Sequence, residues 1–84
     1  MTKYAYAERV VKKVGKILRV NPEYKEIMSC SPTIELGVDF CLDCIYWNYY
    51  NLQILVASNG VYYSNGNNRQ KLLAYNGFDA LLSM

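Results

Sequence analysis

The groups in this 84-residue chain whose types and spacing could do chemistry are three cysteines, a row of acids on one alternating run and a basic cluster near the start. Cys41-x-x-Cys44 has the spacing of half a zinc site or of a redox dithiol. Structural zinc takes four ligands, usually from two such pairs or with histidines. The chain has no histidine, and its remaining cysteine is Cys30. On a regular strand, positions 41 and 44 also point to opposite faces. A redox pair usually sits at a helix N-terminus, where the dipole lowers the thiol pKa; this pair sits inside a β pattern. The expectation is therefore structural. Cys44 packs in the core, Cys41 is a small half-buried residue, and no metal or other cofactor is bound.

Glu35, Asp39 and Asp43 share one face of the same extended run. Such a row could hold a divalent cation, act as an acid/base pair or meet a basic partner. Its plainest reading is the wet face of a half-buried strand. Nucleophilic catalysis lacks its usual base: without histidine, a Ser or Cys would need Lys or a carboxylate, and those residues show no motif spacing. No glycine-rich loop runs into Lys-Ser/Thr, so no phosphate cradle is expected. These absences point away from an enzyme.

Charge is unevenly placed. Residues 1–20 carry six basic residues against Glu8, a net of +5; residues 21–84 carry three basic against six acidic, a net of −3; the whole is +2. Arg9, Lys12, Lys13, Lys16 and Arg19 would form one helix face able to track phosphates with salt-dependent affinity. A solvated helix face is the plainer reading, and no nucleic-acid-binding fingerprint is present.

The elements that must position these groups follow from periodicity. Ala7, Val10, Val11, Val14, Ile17 and Leu18 fall at helical spacing, which predicts an amphipathic helix over residues 3–20. Gly15 within it hints at the close approach of a neighbour. Asn21-Pro22-Glu23 is a cap followed by a first turn, so a short helix from Pro22 to about Met28 follows. Strict alternation from Thr33 to Cys44 then predicts a long strand reaching Asn48, kinked at Gly37. Further strands are expected at Leu52–Ser58, Val61–Ser64 and Gln70–Tyr75, with a hairpin turn at Asn59-Gly60 and a short closing helix at Phe78–Leu82. The fold class is α+β: an N-terminal helical pair on a curved antiparallel sheet of three or four strands, in one domain spanning residues 1–84.

Register decides which side chains face outward. A three-residue turn after Tyr49 sets Asn48 opposite Leu52 and Cys44 opposite Val56, and keeps the even residues inside. A two-residue turn at Tyr50-Asn51 sets Trp47 opposite Ile54 and reverses the inner face. The first needs no compensating bulge and is preferred. It leaves Ile45, Trp47, Tyr49, Leu55, Ala57 and Tyr62 on an outer face, a contiguous apolar patch that something must cover.

Trp and Tyr anchor desolvated interface centres. The expected function is therefore non-catalytic protein binding through Ile45, Trp47, Tyr49, Leu55 and Tyr62, with Glu35, Asp39 and Asp43 alongside. Small size and the absence of catalytic motifs suit a stoichiometric inhibitor, such as a phage or mobile-element protein of the anti-CRISPR kind that blocks a host nuclease or defence complex. The alternatives are a nucleic-acid binder using the basic helix face, and a self-associating structural protein that forms a homodimer. No apolar run is long enough to span a membrane. No stretch reads as a secretory signal, and three cysteines give no disulfide framework, so a reducing cytoplasm is the expected location.

Overall fold

The computed structural model describes residues 3–84, with side chains from Tyr4 onward. Helix α1 spans Lys3–Leu18 and α2 spans Pro22–Met28. The α2 cap is the one the sequence implies: the Asn21 side-chain oxygen accepts from the Glu23 N–H at 3.0 Å, and Pro22 opens the first turn. Five strands follow: β1 Thr33–Leu36, β2 Leu42–Tyr49, β3 Leu52–Ala57, β4 Gly60–Asn65 and β5 Asn68–Ala74. Helix α3, Phe78–Leu82, closes the described chain. The strands pair in sequence order, each antiparallel to the next, so the sheet is a simple meander.

The helices cover one face of this sheet. Ala7, Val10, Val14 and Leu18 of α1 and Tyr24, Ile27 and Met28 of α2 meet Ile45 and Trp47 of β2, Ile54 and Val56 of β3 and Val61 of β4. Phe78 and Leu81 of α3 complete the cluster. Tyr24 packs edge-on against Tyr63 with ring centroids 5.1 Å apart, tying α2 to β4. No charged or polar side chain is buried in this core among the described residues. The neighbour of Gly15 is Arg19: a Cβ there would stand 2.9 Å from a guanidinium nitrogen, whose partner nitrogen donates to the Met28 carbonyl at 3.2 Å.

Three details differ from the sequence expectation. First, the long strand is two strands. Val38 to Cys41 form a tight reversal in which Asp39 and Phe40 take φ of 57° and 59°, the positive values of a type I′ hairpin turn. Gly37 sits at that reversal, and the sheet has five strands because of it.

Second, the β2–β3 connection is the two-residue turn at Tyr50-Asn51. Trp47 faces Ile54, Ile45 faces Val56 and Tyr49 faces Leu52. The penalty for this register is small: Tyr50 takes a φ of 53°, and no bulge is needed within the pairing. The gain is that Trp47, Ile54 and Tyr63 line up across three strands under the helices. Packing thus selects the face that buries the indole.

Third, the β3–β4 turn is Ser58-Asn59, one residue earlier than expected, because Ala57 pairs with Gly60. Gly60 is needed for space. A Cβ there would stand 2.6 Å from the Leu73 carbonyl oxygen, where β5 crosses close.

Candidate functional site

Alternation leaves the second face of the sheet to Tyr46, Asn48, Gln53, Leu55, Ala57, Tyr62 and Ser64, together with Cys44. None of them belongs to the core cluster or to the side chains packed against it. One register row crosses all five strands: Thr33, Tyr46, Leu55, Tyr62 and Lys71. Tyr46, Leu55 and Tyr62 are half-buried and form its apolar centre. A polar row runs beside it through Asn48, Gln53, Ser64 and Arg69, with the Gln53 amide donating to Asn48 at 3.0 Å.

Opposite charges border this face. On the β1 side, Glu35 faces Cys44, and its carboxylate accepts from the Tyr46 hydroxyl at 3.1 Å. That hydrogen bond, aided by desolvation, holds the Tyr46 phenol protonated above its ordinary range. On the β5 side, Arg69 and Lys71 bracket Tyr62. The guanidinium carbon is 4.7 Å from the ring centroid and the ammonium 5.4 Å. Cation–π attraction holds both cations close to the sheet.

Asp43 joins the acidic edge through a bulge. Glu35 pairs with Cys44 and Leu36 with Leu42, so Asp43 is the extra residue, and its carboxylate, that of Glu35 and the Cys44 sulfur come within 4.8 Å of one another. Burial, then Asp43 and Glu35, push the Cys44 thiol up, so it stays protonated at neutral pH. Two exposed carboxylates and a thiol fall short of the four donors of a structural zinc site. Cys44 lies on the open face and Cys41, outside β2, is exposed; the expected core position for Cys44 is overturned by the register.

The expected contact residues divide between the two faces. Leu55, Ala57 and Tyr62 stand on the open side, with Glu35 and Asp43 at its border. Ile45 and Trp47 do not: they are 0% and 1% exposed, sealed beneath α1 and α2. Tyr49 lies on the core side at the end of β2, half-buried, with its ring 4.6 Å from that of Tyr50. A neighbouring Glu26 carboxylate raises its phenol. Asp39 sits in the β1–β2 turn, apart from Glu35 and Asp43. Sequence reasoning put Tyr46 on the core side with the other even residues and missed Arg69 and Lys71. The signal for Tyr46 was present: Asn48, Gln53 and Ser64 form a polar row that marks the wet face, and Tyr46, Leu55 and Tyr62 share its parity.

The basic face of α1 is partly engaged within the fold. Lys13 donates to the Met84 carbonyl just past α3, and Arg19 to that of Met28 at the end of α2. Both place a cation at a helix C-terminus, where the dipole favours it. Arg9, Lys12 and Lys16 are exposed.

No helix among the described residues is long and apolar enough to cross a membrane. Comparison with protein-family models, with curated proteins and with solved structures gives no match to the chain.

Proposed function

We propose that this protein is a non-catalytic domain that binds another protein through the open face of its sheet. The observation that carries this reading is the row Tyr46–Leu55–Tyr62, an apolar centre on the three middle strands with no helix over it among the described residues. Its composition suits an interface: two tyrosines supply contact area at low entropy cost, and the polar row with Glu35, Asp43, Arg69 and Lys71 forms a rim. A stoichiometric inhibitor or adaptor is the narrower form of the proposal. Nucleic-acid binding has less support. The Tyr62 ring is already flanked by two of the protein's own cations, Glu35 and Asp43 would repel phosphates, and two of the five helix cations hold helix ends.

The test is affinity capture from cells, with recovered proteins identified by mass spectrometry. The wild type is expected to retain a partner in near-equal amount, and Leu55→Arg to lose it while its circular dichroism is unchanged. Equal capture by the wild type, Leu55→Arg and Tyr62→Ala would refute the proposal.

A further inference from the structure

The geometry points to a second copy of this chain as the occupant of the open sheet face, packed face to face about a two-fold axis that runs along the strands. This rests on the proposal that the open face is a binding surface, and it names the partner.

Charge complementarity selects the arrangement. The acidic edge (Glu35 with Asp43) and the basic edge (Arg69 and Lys71) lie on opposite sides of one face, four strand spacings or about 19 Å apart. A two-fold axis along β3 reverses the strand order of the second copy, so β1 of one copy lies over β5 of the other. Tyr46 of one copy then meets Tyr62 of the other, and Leu55 lies on the axis against itself. The alternative in-plane axis, across the strands, stacks β1 on β1 and β5 on β5 and brings like charges together.

The position along the strands also fits. Glu35 is one row removed from Lys71, on the side of the Ala57–Gly60 pair. The Lys71 side chain leans that way: its Cε and Cδ lie 3.4 and 3.6 Å from where a Cβ on Gly60 would stand. The missing side chain of Gly60 gives the lysine a groove that carries its ammonium toward the Glu35 row. Glu35 of each copy thus meets Lys71 of the other, twice per dimer.

Other routes to self-association are blunted. The β1 edge is four residues long and ends in a bulge, while β5 carries Arg69 and Lys71 and has its own bulge beside Tyr62. Short, charged and bulged edges resist strand addition. The open face instead offers Tyr46, Leu55 and Tyr62 in one continuous row across three strands. Five strands of about six residues offer roughly 480 Å² of footprint per copy, or about 1,000 Å² per pair, at the lower bound for a specific interface. An interface of this size belongs to the weak, reversible class.

Sedimentation equilibrium of the full chain from about 1 μM to 1 mM reads this directly. A reversible dimer is expected. Glu35→Lys and Lys71→Glu should each weaken it by about tenfold or more, as loss of a facing charge pair does. The double variant Glu35→Lys/Lys71→Glu should restore it, and so should mixing the two single variants. Restoration by the double swap cannot come from misfolding, because each swap alone would carry the same defect. A monomer at about 1 mM overturns the inference; if Leu55→Arg still abolishes capture of a different protein, the binding face itself stands. A dimer indifferent to both charge swaps and to Leu55→Arg overturns the inference and removes this support from the face.

Discussion

Trp47 shows how one side chain decides the reading of a small domain. Its indole is 1% exposed and lies between the helices and the neighbouring Ile54. Trp47→Ala is therefore expected to act on stability, by about 3–5 kcal/mol. A domain of this size holds roughly 4–13 kcal/mol in all, so the variant should lose a large share of its stability, read as a clearly lowered urea midpoint. Lost partner capture by Trp47→Ala would then say nothing about an interface. At the opposite extreme stands Phe40, 71% exposed with a φ of 59°. A left-handed conformation costs an L-residue about 1–2 kcal/mol, and glycine escapes most of it at some cost in chain entropy. Phe40→Gly is expected to raise the urea midpoint, with a gain of up to about 1 kcal/mol. A lowered midpoint would mean that the exposed ring contributes contacts this geometry does not reveal.

Among the elements, α3 depends most on side-chain ties. The Tyr6 hydroxyl of α1 donates to the Asp79 carboxylate at 2.7 Å, and Lys13 reaches the Met84 carbonyl. Burial, followed by the hydrogen bond to Asp79, pushes the Tyr6 phenol up to about 12. Tyr75, donating to the Ala57 carbonyl at 2.6 Å, is also pushed up to about 12, chiefly by burial. A phenol whose folded pKa lies above the unfolded value near 10 keeps its proton longer in the native state, so its stabilisation is complete below pH 10 and is lost as pH rises toward 12. Unfolding free energy should fall across that window, and Tyr6→Phe or Tyr75→Phe should each make the fall shallower. A slope unchanged in both variants would assign it to other groups.

The elements were mostly legible in the sequence, because caps and periodicity are local. Asn21-Pro22, the α1 stripe and Phe78–Leu82 all lie where their residues put them. The turns were not. Phe40 and Tyr50 are poor residues for positive φ, so neither reversal carried an Asn-Gly or Asp-Gly signature. That local silence had a long-range effect. A one-residue difference in the β2–β3 turn moved Ile45, Trp47 and Tyr49 to the core side and Tyr46 to the open side, while Leu55 and Tyr62 stayed outside. The candidate site was half legible for this reason. Its acidic border also needed the bulge at Asp43, which no composition rule announces.

For the molecule as a whole, asymmetry is the governing property. All three helices contribute to a single core on one side of a five-stranded meander, and the other side keeps an apolar centre between unlike charges. The basic excess of residues 1–20 lies largely on α1, so the two sides also differ in electrostatic character. Strand pairing between sequence neighbours has a further consequence, during synthesis. Each new hairpin can form against the strand that has just left the ribosome, while α1 emerges first and must wait for its cover. At ~5–20 residues per second, the stretch from Arg19 to Tyr63 takes roughly 2–9 s to appear. For most of that interval Ala7, Val10, Val14 and Leu18 have only α2 to pack against and lack the completed sheet. The nascent chain is therefore most prone to aggregate through the segment that the finished molecule hides best.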